Sequence, residues 1–211
     1  MQNSRILEML EKGQIEELKG LIREEIYASS LKSNPTAKKR YTAMKRYLKT
    51  ISESRPILTK PCEVEFEGQK YNSFTNSYSL VLTKESCGEL EMCDEPDRYP
   101  NTAKLITRLG DMDKIDFNKV IAEAKSKGYK YTKNSIHGND YLMKYNGAYY
   151  RMGLVDITFE ILNEGKSINI YFKGIHSPMV IENDLGIGLI LPIRGDGDYL
   201  EGSVIIEVEK N

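Results

Sequence analysis

Lys38, Lys39, Lys45, Arg46 and Lys49 are the residues whose type and spacing most directly suggest chemistry. Lys38, Lys45 and Lys49 are separated by seven and four residues. That spacing puts them on one face of an α-helix, with Lys39 and Arg46 beside them. A row of cations of this kind meets a phosphate backbone without reading bases, and each phosphate contact adds to the salt dependence of binding. The row lies in a biased stretch: from Leu31 to Lys60, Lys32, Lys38, Lys39, Arg40, Lys45, Arg46, Lys49, Arg55 and Lys60 face only Glu53. Up to Ser30 the bias is reversed, with Glu8, Glu11, Glu16, Glu17, Glu24 and Glu25 against Arg5, Lys12, Lys19 and Arg23. The whole-chain net charge of −1 conceals this. A local block matters more than the sum to a polyanionic partner. The competing reading of the row is a solvated lysine face.

Other reactive residue types do not form constellations. The two histidines, His137 and His176, have no cysteine or acidic neighbour at metal-ligand spacing. Cys87 and Cys93 stand in a polar stretch too poor in ligands for zinc, and Asp94, Glu95 and Asp97 read as a solvated acidic loop. Gly186-Ile187-Gly188 lacks the third glycine and helix start of a phosphate loop. Asp196-Gly197-Asp198 lacks the remaining carboxylates of a calcium loop. Arg194-Gly195-Asp196 is read as a chance match to an adhesion motif. No Ser-His-Asp or Cys-His order is present, so the expectation is a non-enzyme with no cofactor and no metal.

The elements that must position these residues follow from periodicity. The chain has 211 residues, 40% hydrophobic and 29% charged, enough for a real core. No apolar run is long enough for a membrane span, and the N-terminus lacks the order of a signal peptide. Three cysteines (Cys62, Cys87, Cys93) cannot all pair within the chain. With no secretion signal, that favours free thiols in the cytoplasm. Ile6, Leu7, Leu10, Ile15, Leu18, Leu21, Ile22 and Ile26 recur at helical spacing, with Gly13 dividing a short helix from a longer one. Asn34-Pro35 caps and starts a second helix running to about Ile51, with Tyr41, Met44, Leu48 and Ile51 on one face. Strands are expected at 62–66, 71–74 and 78–83, and a polar loop at 85–100. A third helix is expected from Phe117 to Lys127, capped by Asp116 and closed by Gly128. A hairpin turns at Asn146-Gly147, and a fourth helix spans Leu154 to Leu162. Strands at 168–172, 177–182, 189–193 and 203–208 end the chain. No repeat or low-complexity tract stands out. The class is α+β, with helices on a largely antiparallel sheet.

One pair of strands is distinctive: Ser177-Pro178-Met179-Val180-Ile181-Glu182, then Leu189-Ile190-Leu191-Pro192-Ile193-Arg194. Proline has no N–H to give to a ladder, so Pro192 between Leu191 and Ile193 marks an apolar sheet edge or strand end. Together these residues resemble the C-terminal signature of DNA sliding clamps, the bacterial and phage polymerase III β-subunit family. Further matches occur in the family's order. Arg55-Pro56-Ile57-Leu58 leads into a strand, then Thr75-Asn76-Ser77-Tyr78-Ser79-Leu80 stands where the family has Thr-Asp-Gly-x-Arg-Leu. Arg98-Tyr99-Pro100-Asn101 is similar to a Phe-Pro-Asp segment, and Tyr149 to Leu154 resembles a strand-to-helix step. Asn76-Ser77 departs from Asp-Gly, Ser79 replaces the arginine, and the length suits about one clamp-type domain. The resemblance implies a clamp-like α+β domain (35–194); beyond the family's pattern, an N-terminal acidic helical segment (1–34) precedes it and a C-terminal strand-like extension (195–211) follows, placed beside the Leu-Pro-Ile-Arg strand.

The resemblance also implies a peptide-binding cleft. Its matching positions are Thr75, Tyr78, Leu80, Pro100, Lys104, Leu105, Leu189, Leu191, Pro192 and Ile193, apolar walls into which a partner's Leu or Phe can insert. The competing reading is that Leu80, Leu189 and Leu191 are ordinary core. Two functions follow as expectations. One is a sliding-clamp-like accessory protein of DNA replication or repair, of phage or prophage type. It would form a homo-oligomer, contact duplex DNA through the Lys38–Lys49 helix and hold a polymerase-type peptide. The other is a clamp-fold adaptor or regulator that does not encircle DNA, with the acidic first helix covering the basic second one.

Overall fold

The computed structural model describes residues 9–51, 54–162, 168–193 and 200–208. Ile6, Leu7, Arg194 and the Gly195, Asp196, Gly197 and Asp198 motifs lie outside them. Helices α1 (Ile15–Ser30) and α2 (Pro35–Leu48) form the expected hairpin. Gly13, at φ +68°, separates α1 from the helical turn at 9–11. Pro35 opens α2, and the Asn34 side-chain oxygen accepts from the Ala37 N–H at 3.0 Å. The helix stops short of Ile51 because the Thr50 and Ile51 N–H groups turn back to the carbonyls of Tyr47 and Leu48.

Strands β1 (Cys62–Phe66), β2 (Gln69–Thr75), β3 (Ser79–Thr83), β4 (Asp111–Ile115), β7 (Ile168–Phe172), β8 (Met179–Asn183) and β9 (Gly186–Ile190) form one antiparallel sheet, in the order β1-β2-β3-β9-β8-β7-β4. β5 (Tyr141–Tyr145), β6 (Ala148–Arg151) and β10 (Val204–Val208) form a smaller one, ordered β10-β5-β6. The remaining helices are α3 (Phe117–Ser126) and α4 (Met152–Leu162), the latter starting two residues before the expected Leu154. β4 is missed by periodicity because Asp-Met-Asp-Lys-Ile, at the sheet edge, buries only Ile115 fully.

The large sheet contains a repeat that the residues do not announce. α2-β1-β2-β3 and α4-β7-β8-β9 are each a helix followed by a three-stranded meander, and they join through antiparallel β3 and β9, where Leu80 faces Leu189. The two helices pack together on one face. α4 is buried along its length apart from Glu160, as an almost wholly apolar helix must be. Gly188 lets it lie close: a Cβ there would stand 2.5 Å from Thr158 Cγ2. Phe74, Val81, Ile170, Ile181 and Ile190 meet Met44, Tyr47, Leu154 and Ile157 in this main core.

The C-terminal strand departs from expectation. β10 pairs in parallel with β5, Val204 opposite Tyr141, and does not lie beside residues 189–193. The segment after β9 instead steps from one sheet to the other. Leu191 donates its N–H to the Tyr78 carbonyl at 3.0 Å, and Ile193 donates to Tyr149 of β6 at 2.8 Å. Pro192, with no N–H, falls between the two bonds. Among the described residues, no helix is long and apolar enough to cross a membrane.

Candidate functional site

Alternation along the strands gives the large sheet a second face, away from the helices. Tyr71, Leu80, Leu82, Val180, Ile187 and Leu189 cluster there, with Val64, Phe66 and Tyr171 at the margin. Leu80, Leu189 and Val180 are neighbours across three strands. This outer face brings the three predicted cleft segments together. Thr75 and Leu80 come from β2 and β3, Leu189 from β9, and the third segment lies over β2 through a 2.8 Å hydroxyl pair between Ser73 and Thr102. The predicted residues differ in access. Thr75, Leu80 and Leu189 are buried, and Pro192 and Ile193 are half-buried. Pro100 and Lys104 are exposed, as are the apolar side chains of Leu105 (58%), Tyr78 (43%) and Leu191 (38%).

Tyr78 is presented by an unusual turn. The Asn76 side-chain oxygen accepts from the N–H groups of Tyr78 and Ser79 at 3.1 and 2.9 Å. Ser77 adopts φ +73°, in the left-handed region. This backbone shape is one that glycine favours. Two arginines and a histidine stand at the turn: Arg55 donates to Ser77 Oγ, the Arg151 guanidinium lies 5.3 Å from the Tyr78 ring centroid, and His137 packs edge-on against that ring.

A strap of residues 99–108, which periodicity did not single out, fastens this face. The buried Tyr99 hydroxyl donates to the Ser73 carbonyl at 3.1 Å. Ile106, only 8% exposed, joins the outer cluster. Arg108 then grips Glu182 through Nε and Nη2, each at 2.6 Å, and Glu67 through Nη1 at 2.5 Å. These carboxylates, Glu182 first, raise the guanidinium pKa further. Arg108 was invisible in the sequence because Glu182 lies 74 residues away and Glu67 lies 41 away.

The basic row on α2 is divided. Lys45 pairs with Glu24 of α1, whose carboxylate also accepts from the Tyr41 hydroxyl. Lys39 and Arg46 both pair with Glu160 of α4, and Arg46 covers the Tyr131 ring at 4.6 Å. Beside Lys39, the buried Arg40 pairs with Glu85 at 2.5 Å. Lys38 and Lys49 stay exposed and form no ion pair among the described residues. The acidic α1 thus lies against the basic α2, joined also by the Tyr27–Tyr41 ring contact. Below Arg46, the buried Asp156 accepts from the Tyr129 hydroxyl at 3.0 Å, and desolvation raises its pKa.

Elsewhere, a cleft of about 670 Å³ runs between α1 and residues 89–91, walled by Glu16, Glu17, Glu24, Glu89 and Glu91 with Arg23 and Lys60. Among the described residues, no group of three or more His, Cys, Asp or Glu is arranged to hold a metal ion. No protein-family model, curated protein or solved structure matches the chain.

Proposed function

We propose that this protein is a non-catalytic binding module of clamp-like α+β architecture whose outer sheet face takes an apolar peptide of a replication-type partner. The observation that carries this reading is the exposure of Tyr78 and Leu191, joined by a 3.0 Å backbone hydrogen bond, and of Leu105, next in sequence to Ile106 of the outer cluster. Exposed apolar side chains gathered at a polar rim are a usual mark of a protein-binding surface. The rim is cationic, with Arg55 and Arg151 at the Tyr78 turn and Lys104 on the strap. A Leu- or Phe-bearing segment with acidic flanks therefore complements it.

The adaptor reading is favoured over one that encircles DNA. Lys39, Lys45 and Arg46 are held by Glu160 and Glu24, so three of the five cations proposed for DNA are already partnered. A phosphate would compete with those carboxylates, most strongly at the half-buried Lys45 and Arg46. The exposed Lys38 and Lys49 alone support a weak, salt-sensitive contact.

The test is fluorescence anisotropy with labelled duplex DNA and, separately, a short labelled peptide carrying Leu-Phe behind acidic residues. The expected result is peptide binding that Leu191→Asp weakens by about tenfold or more. DNA binding should be absent at moderate salt and unchanged in Glu24→Gln. Tight DNA binding lost in a Lys38→Glu, Lys49→Glu variant, without peptide binding, overturns the adaptor in favour of the clamp.

A further inference from the structure

Cys62 and Cys93 come from distant parts of the sequence and meet at one end of the sheet. Cys62 opens β1, and Cys93 lies on the 84–100 loop that returns across it. The Cys93 N–H donates to the Pro61 carbonyl at 2.8 Å. Covalent geometry then limits the Cα atoms of Cys62 and Cys93 to a separation of at most about 7 Å, within reach of the window that disulfides occupy. Both side chains pack in one small cluster with Leu58, Tyr99, Ile51 and Ile57. Lys60 pins the loop on either side of Cys93, pairing with Glu91 at 2.6 Å and Asp94 at 3.5 Å. The third cysteine, Cys87, is buried in the main core instead.

We propose that Cys62 and Cys93 are a redox-sensitive thiol pair, closing to a reversible intramolecular disulfide when the protein meets a peroxide. Cys93 is the half-buried, more accessible member, whereas Cys62 is only 3% exposed. The Cys93 sulfur attacks hydrogen peroxide, the O–O bond breaks, and a sulfenic acid and one water form. The Cys62 sulfur then displaces the hydroxyl group, which leaves with the Cys62 proton as a second water. Two thiols and one peroxide thus give one disulfide and two waters. The bond fixes the 84–100 loop to β1, and with it the start of the strap at Tyr99. Burial first, and then the Cys93 thiol beside it, push the Cys62 thiol up to about 11, so closure should quicken as pH rises.

The full chain, reduced and then treated with hydrogen peroxide, tests this by thiol counting, intact mass and non-reducing peptide mapping. Its three free thiols should fall to one. The mass should drop by two hydrogens, and a cross-linked peptide should join Cys62 to Cys93 in a dithiothreitol-reversible way, independent of protein concentration. Cys87→Ser should form the same link, and Cys93→Ser should form none. Retention of three thiols, pairing through Cys87, linkage only between molecules, or oxidation of Cys93 to an acid without a cross-link would each overturn the proposal.

Discussion

The two faces of the large sheet are built from the same strands and held in opposite ways. On the inner face, Phe74, Val81, Ile181 and Ile190 disappear beneath α2 and α4, and the Tyr47 hydroxyl reaches the Ser79 carbonyl at 2.8 Å. On the outer face, the cluster of Leu80, Leu82, Ile187 and Leu189 is covered by Ile106 and a strap tied down by Tyr99, Thr102 and Arg108. The inner face is sealed by apolar packing, and its cations link one helix to the next through Glu24 and Glu160. The outer face is fastened by polar ties and leaves Tyr78, Leu105 and Leu191 in solvent. Lys39, Lys45 and Arg46 of the basic row join helices through Glu24 and Glu160, while Lys38 and Lys49 stay in solvent. Of the three leucines with a competing core reading, Leu80 and Leu189 are buried and Leu191 stands at the surface.

This contrast breaks first at Phe74, which is fully buried with its ring edge-on to Tyr47 at 6.2 Å. Phe74→Ala should destabilise the fold by about 3–5 kcal/mol in chemical denaturation. A cost below about 1 kcal/mol would mean that the inner face is loosely packed. Arg108→Ala should cost less, about 1–2 kcal/mol, because Glu67 and part of the guanidinium already face water. Its sharper signature is faster amide exchange confined to the strap. Uniform exchange across both faces would show that the strap is not a separate unit.

Ser77→Gly should raise stability by about 1 kcal/mol, since glycine adopts the φ of +73° without a Cβ penalty. A loss would show that the Arg55 bond to Ser77 outweighs the backbone strain. Smallest in stability is Leu191→Asp, expected within about 0.5 kcal/mol of wild type. The same change should weaken peptide binding at least tenfold, about 1.4 kcal/mol. Destabilisation of core size would place Leu191 in the scaffold instead.

The α+β class, the helix hairpin, the Asn34 and Asp116 caps and the Asn146-Gly147 turn were legible because each depends on neighbours a few residues apart. The pairing of Leu191 with Tyr78 and of Ile193 with Tyr149 was only half legible. Pro192 announced an interruption, but not that the chain there changes sheets. Strand periodicity marks β10 in the sequence but not its partner, since nothing local distinguishes β5 from β9 as a neighbour. The spacing of the basic row marks a helix face. Its carboxylate partners were hidden, because Glu160 is brought to Lys39 and Arg46 only when α2 and α4 pack. Arg108 escaped for the same reason, having no local pattern to mark it.

The central claim is that the outer sheet face, and not the basic helix, is the surface that meets a partner. Amide and methyl NMR spectra of the full chain, titrated with a short acidic-flanked Leu-Phe peptide, test it most directly. Shifts concentrated at Tyr78, Leu105, Ile106, Leu189 and Leu191, with α1 and α2 unmoved, are the predicted result. Shifts centred on Lys38, Lys45 and Lys49, or none at saturating peptide, would contradict it.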